Sequence, residues 1–445
     1  MGPDDAPAAD ASPAAVAPDD APAAEASPGA ERRRSAPLAG FRVVAVEQFG
    51  AGPFGTLLLA DLGAEVIKIE DPASGGDISR YIPPLQQGTD SLYFEAVNRN
   101  KRSLLLDLKN EAGHEVLERL VGTADAVFSN LRGDQPERLR LTYADLGHVN
   151  PSIVCVALTG YGRRGEDARL PGYDALVQAE TGWAWLTGGP DDPPTRSGLS
   201  LADYATGLAA MVGLLAAVLD ARATGVGRDV DTDLYDTSLA MLTHHATWHL
   251  SAGFVPTRQP MSAHASVVPF QFFATADGHL AIAAAKEHFF GDLVRAIGLL
   301  GLVDDTRFVD MQSRSEHRDE LLPLLAARFA ELPTSAWMER LRGVVPAAPV
   351  RSMEGALDPA DLQDRAMLAE YEHPALGTVR SVGPPVFMSG YEPEHRPGPG
   401  LGADGPAILT GLGYSDSDVA ALRQRGAFGR EPVPPTEERI SGGMP

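Results

Sequence analysis

The chain has 445 residues, 44% of them hydrophobic and 22% charged, with a net charge of −23, which is long enough to bury a large core and more than one domain. Such acidity excludes a general nucleic-acid partner, because a phosphate backbone needs a basic footprint, although one pocket of an acidic protein can be locally basic for a small polyanion. The single cysteine, Cys155, excludes an internal disulfide, and its apolar surroundings predict a buried, inert thiol in a cytoplasmic protein.

In chain order, residues 1–36 are Ala, Pro and Asp with hardly any aliphatic bulk, and PDDAPAADASP (3–13) recurs as PDDAPAAEASP (18–28). Such a segment buries too little apolar surface to offset its ordering entropy and is expected to be disordered. No charged-then-apolar leader is seen, so no secretory signal is expected. Folded structure is expected from residue 37. FRVVAVE (41–47) reads as a buried strand, 54–62 as a helix closed by Gly63, and EVIKIE (65–70) as a second strand. Helices at 112–120 and 135–146 alternate with strands at 125–129 and 153–158, a rhythm that predicts a parallel sheet covered by helices. The apolar run 208–219 is too short to span a bilayer, so no membrane partner is expected; it reads as a buried helix, followed by the Gly-bounded strand GVGRDVDTDLYD.

Beyond residue 250 the texture changes. Two strand-like runs, 267–275 and 279–285, flank Ala276-Asp277-Gly278, and helices follow at 289–299, 317–332 and 334–341, with a last one near 416–425. The expected division is a tail (1–36), a large α/β domain (37–250), a small domain (251–345) and a return segment (346–445).

Gly50-Ala51-Gly52-Pro53-Phe54-Gly55 follows a strand, opens a helix, and is followed by Glu70 at the spacing of a dinucleotide-binding fold. The glycines serve any tight strand-to-helix turn equally well, and Pro53 removes a backbone donor, so a nicotinamide cofactor is rejected and only an anion near this helix end is kept. His245 and His249 share a helix face, but neither a following glutamate nor a third ligand is evident, and no metal is expected.

TGGPDDPPTRSG (187–198) sets Asp191 in a loop that glycine and proline hold out of regular structure. By itself it is an ordinary turn; an ionised carboxylate on a constrained loop is also a nucleophile that needs no base.

Six strings in this order settle the choice: VVAVEQFGAGPFG, LLLADLGAEVIKIEDP, NRNKRSLLLDLKN, PERLRLTYADL with NPSIVCVALTGYG, LPGYDALVQAETGWAWLTG, and TGGPDDPPTRSG. Together the chain resembles the class III coenzyme A transferases, which include formyl-CoA and carnitine CoA transferases, over residues 37–418. The resemblance implies a Rossmann-like large domain with a parallel sheet, a smaller α+β domain, and an interlocked homodimer. It implies transfer of coenzyme A between organic acids, with acyl-CoA as substrate and no permanently bound cofactor. Asp191 falls at the expected nucleophile position, forming an aspartyl anhydride and then an aspartyl-CoA thioester. Gly50, Ala51, Leu106, Lys109, Asn130, Leu131, Arg132, Arg138, Thr159 and Tyr161 fall at nucleotide-lining positions. The basic residues Arg99, Lys101, Arg102 and Lys109 gather around one predicted strand and read as the cations for the nucleotide's phosphates.

Three positions depart from the family's pattern. Asp192 replaces a glycine, Asp71 an arginine and Leu131 an aromatic. The same superfamily holds acyl-CoA racemases, the alternative reading; Tyr173 stands where they have a histidine, and Asp203 where they have an aspartate, here read as a helix cap. A CoA-ester-binding protein without turnover is the third possibility, disfavoured by the intact Asp191.

Overall fold

A computed structural model describes residues 36–429. Its centre is a six-stranded sheet of β1 (Arg42–Val46), β2 (Glu65–Glu70), β3 (Arg102–Leu105), β4 (Ala126–Ser129), β5 (Val154–Thr159) and β6 (Arg228–Asp233). All neighbours pair in parallel, in the order β3-β2-β1-β4-β5-β6. This is the doubly wound order, in which the chain reverses direction between β1 and β4 and opens a crevice at the strands' carboxyl ends.

Alternate side chains feed two separate cores. Val44, Val46, Ile67, Ile69 and Leu104 point to the face covered by helix α2 (Glu111–Val121) and, from far along the chain, by helices Gly405–Gly411 and Asp416–Gln424. Val43, Ala45, Val66, Phe128, Val154 and Val156 point to the face covered by helices α1 (Ala51–Asp61) and α3 (Leu201–Thr224). The apolar helix is therefore twice the length read from its apolar run. By length and composition its 24 residues could cross a membrane, yet one face, from Ala202 through Ala210 and Leu214 to Ala221, is packed on the sheet.

Two glycines set how closely α1 and α3 cross. A Cβ on Gly55 would lie 2.9 Å from the Gly207 carbonyl oxygen, and one on Gly207 would lie 2.5 Å from that of Ala51. The helices thus meet backbone to backbone. Asp203, one turn before Gly207 and on the same face, is carried over the N-terminus of α1.

The helix expected over 135–146 is instead two single turns, Gln135–Arg138 and Tyr143–Leu146, split where Arg140 takes a φ of +52°. Beyond α3 a second core, separate from the sheet, gathers Phe273, Leu280, Phe290, Leu293, Leu321, Phe329 and Trp337. It is built on the antiparallel strands β7 (Phe270–Ala274), β8 (His279–Ala283) and β9 (Ala347–Pro349). The chain then returns through the hairpin β10 (Leu368–His373) and β11 (Gly377–Val382) to the large sheet.

Candidate active site

The carboxyl edge of the sheet converges on the turn between β1 and α1. Phe49 takes a left-handed φ of +68° there, and the turn is braced from two sides. Asn130, just past β4, accepts from the Gln48 N–H at 2.8 Å and donates to the Gln48 carbonyl at 2.6 Å. Asp77 accepts from the Phe49 N–H at 3.1 Å. A Cβ on Gly52 would fall 2.8 Å from Asn130 and 2.9 Å from the Phe128 ring, so glycine is needed for this approach. The Gly-rich string is thus absorbed by packing. Glu70, the acid that would hold a ribose in a dinucleotide fold, is buried in a bidentate pair with Arg80 at 2.8 and 2.7 Å.

Against this turn stands Asp203. A Cβ on Gly50 would lie 2.8 Å from Asp203 Oδ2, and the Asp203 carboxylate forms no hydrogen bond or ion pair with any described residue. Burial, with the neighbouring charge of Asp174 adding to it, pushes this carboxyl up to about 7. Asp203 is not the cap of α3. The helix begins at Leu201, after Ser200, and its first-turn Ala202 N–H is taken by Asp174 Oδ1 at 2.9 Å. Tyr93 is close enough to feel Asp203; burial first, then the charges of Tyr204 and Asp203, push its hydroxyl up to about 12.

The loop 187–198 closes the other side. Arg258, on the connection to the second core, donates to five of its carbonyls or those just before it: Ala184 (2.9 Å), Trp185 (2.6 Å), Gly189 (3.3 Å), Asp192 (2.5 Å) and Pro193 (3.1 Å). The Asp192 carboxylate folds back onto the Gly189 N–H at 2.7 Å. Asp191 is exposed on the rim of the loop and pairs with no described residue. Residues 38–405 fit the model of CoA-transferase family III.

The chain belongs to this family. Among curated relatives, a succinyl-CoA:glutarate CoA-transferase of Mus musculus is 35% identical over 389 residues, covering 87% of this chain and 89% of that protein. An acetyl-CoA:oxalate CoA-transferase of Acetobacter aceti is 35% identical, covering 84% and 95%. The crystal structure of a CaiB/BaiF family protein from Brucella suis superposes with a TM-score of 0.72 at 31% identity, covering 85% of this chain and all of that one.

In this CoA transferase the expected nucleotide residues do share one edge. Gly50 and Ala51 open α1, Leu106 and Lys109 follow β3, Asn130, Leu131, Arg132 and Arg138 follow β4, and Thr159 and Tyr161 end β5. Each also has a structural setting of its own. Leu106 is buried in the core, with Leu131 packed against the same cluster. Asn130 is the brace just described. Thr159 accepts from the Gly162 N–H at 2.8 Å, and Tyr161 packs on Tyr235 with ring centroids 6.0 Å apart. Lys109, Arg132 and Arg138 are cations at the rim, held only by partly exposed pairs with Asp71 (3.1 Å) and Asp134 (2.6 and 3.5 Å). Such surface pairs are weak and can be exchanged for phosphates.

Arg99 and Lys101 are locked in buried pairs and not available to a nucleotide, and Arg102 is half-buried. Arg99 is buried against Asp61 at 2.6 Å, Lys101 against Glu47 at 2.7 Å, and Arg102 pairs with Glu65. Lys101 also donates to the Pro53 carbonyl at 2.9 Å, tying α1 down from beneath; burial pushes its ammonium to about 8 despite Glu47. Lys68, fully buried between Asp77 (2.8 Å) and the Glu47 carbonyl (2.9 Å), completes this ionic floor. None of it was readable from sequence, because each pair joins residues distant in the chain.

Proposed function

We propose that this transferase moves coenzyme A from succinyl-CoA to a short dicarboxylic acid, with Asp203 as the residue that becomes acylated. The substrate pair is taken from relatives named for succinyl-CoA with glutarate or mesaconate. The observation that carries the assignment is the unpaired Asp203 carboxyl, facing Gly50 at the switch point of the sheet.

This replaces Asp191, the expectation from the Gly/Pro loop. A carboxylate attacking a thioester gains reactivity from desolvation and needs water excluded, or its anhydride hydrolyses. Asp203 is partly withdrawn from water beneath Tyr93 and α1, whereas Asp191 lies in open solvent.

The Asp203 carboxylate attacks the donor thioester carbonyl, and the CoA thiolate leaves, giving a mixed anhydride. The thiolate attacks the aspartyl carbonyl of that anhydride, forming an aspartyl-CoA thioester and expelling the donor carboxylate. The acceptor carboxylate attacks this thioester, releasing thiolate and a second anhydride. The thiolate then takes the acceptor's acyl carbonyl, restoring Asp203. No proton is moved at any step, which suits a site whose nearest side chains are a second carboxylate and two phenols. Lys109, Arg132 and Arg138 meet the nucleotide's phosphates at the rim.

The test compares two variants in CoA exchange between succinyl-CoA and glutarate. Asp203→Asn should lose at least about a thousandfold in kcat and Asp191→Ala no more than a few-fold; the opposite ranking restores Asp191.

We further propose that the working form is a dimer. Helix Thr243–Ala252 buries none of its own residues, and Leu250 is 83% exposed, with Val212 and Leu219 of α3 at 70% and 69%. Apolar surface on this scale is what a second subunit covers. Light scattering giving a monomer mass would refute it.

A further inference from the structure

We infer that Arg196 selects the acceptor, its guanidinium receiving the distal carboxylate of a dicarboxylic acid whose other carboxylate stands at Asp203. This rests on Asp203 being the acylated residue.

The site needs a cation and has few to offer. Asp203 lies within electrostatic reach of a second carboxyl, Asp174, on a strongly acidic protein. A dianion is repelled unless a local positive charge receives its far end. Lys68, Arg99 and Lys101 are locked in buried pairs, and Arg258 spends its donors on loop carbonyls. Lys109 and Arg132, on the turns after β3 and β4, and Arg138, at the end of the helical turn Gln135–Arg138, pair with Asp71 and Asp134. Arg196 is the guanidinium that this loop brings to Asp174, the carboxylate whose charge acts on Asp203. Its side chain is 55% exposed, and its Nη1 stands 3.7 Å from Asp174 Oδ2.

Asp174 does not require Arg196. Its Oδ1 already accepts from the Ala202 N–H, and its Oδ2 from Gln178 Nε2 at 2.8 Å. The 3.7 Å contact is too long for a hydrogen bond, so the guanidinium is held near the site without being consumed there. Its backbone, in contrast, is fixed on both sides. The Thr195 N–H donates to the Ala184 carbonyl at 3.0 Å, and the Ser197 N–H to Gln178 Oε1 at 2.9 Å. A planar fork on a pinned backbone, beside the Asp174 carboxylate whose charge bears on Asp203, suits bidentate recognition of a carboxylate.

The test is acceptor kinetics with succinyl-CoA as donor, comparing glutarate with valerate, a monoacid of the same carbon count. In a double-displacement enzyme the acceptor's kcat/KM is independent of the donor, so the donor's own distal carboxylate does not confuse the reading. Arg196→Gln should lower kcat/KM for glutarate at least 30-fold, mostly through KM, and leave valerate within threefold. Arg196→Lys should recover part of the loss. Where valerate turns over too slowly, its inhibition constant against glutarate replaces the rate, and it should be unchanged. Parallel losses for both acids, or no loss for glutarate, overturn the assignment. A wild-type enzyme that transfers CoA to neither acid overturns the underlying function instead.

Discussion

Asp203 and Gly50 face each other across the crossing of two helices, so closely that a Cβ on Gly50 would stand 2.8 Å from the Asp203 carboxylate. Gly50 has a φ of −101°, which alanine adopts without strain. Gly50→Ala should therefore cost less than about 1 kcal/mol of stability while turning the carboxylate aside. The expected result is a melting temperature close to wild type with CoA-exchange activity down at least tenfold; unchanged activity would mean that this approach does not matter.

Asp203 also fixes a pH dependence. As the proposed nucleophile it attacks only when ionised, so kcat/KM should rise with pH and level off above an apparent pKa of about 7. The stability effect has the opposite sign. A carboxyl whose folded pKa lies above its unfolded value makes folding less favourable as pH climbs from about 4 to about 7, and the full penalty persists above that. Asp203→Asn should accordingly be more stable than wild type at pH 8, by on the order of 1–2 kcal/mol once partial solvent access is allowed for, and no more stable at pH 4. Thermal melts at the two pH values check this.

Arg258 ties the loop 184–193 to the connection with the second core through five carbonyls. Removing the guanidinium leaves those carbonyls to water and frees the loop. Arg258→Ala should speed proteolytic nicking within 187–198 and raise KM for the acceptor. Arg258→Lys should rescue poorly, because an ammonium has three donors and no planar fork. Equal resistance to nicking in all three proteins would contradict this role.

Gly207→Ala tests the helix crossing itself. Alanine gains about 1 kcal/mol in helix propensity over glycine, but its Cβ meets the Ala51 carbonyl at 2.5 Å, and backbone cannot swing away as a side chain can. Overpacking of this kind costs about 1–3 kcal/mol, so the net change should be destabilising, with activity lost as Asp203 moves. A chemical-denaturation midpoint at or above wild type would show that the two helices are not in such contact.

How much of this was legible follows from which interactions are local. The strands at 65–70 and 228–233 and the hairpin around Asp277 announce themselves through alternation, β-branched residues and glycine boundaries, and they form where expected. Arg99, Lys101 and Arg102 misled because a run of basic residues looks solvated until Asp61 of α1, Glu47 just past β1 and Glu65 of β2 arrive to neutralise it. The carboxyl proposed here as the nucleophile was overlooked for a similar reason. The Gly/Pro loop around Asp191 has a conspicuous composition, whereas Asp203 sits inconspicuously at the head of a helix. One signal was present in the sequence: Ala51-x-x-x-Gly55 and Asp203-x-x-x-Gly207 each pair a first-turn residue with a glycine one turn later, the spacing by which two helices touch closely and bring their first turns together.

The central claim is a covalent bond at one side chain. Enzyme incubated with succinyl-CoA without acceptor and quenched in hydroxylamine should carry a hydroxamate on the peptide containing Asp203, detected by mass spectrometry. The same treatment of Asp203→Asn should leave that peptide unlabelled. A hydroxamate on Asp191, or full exchange activity with neither residue labelled, would contradict the account.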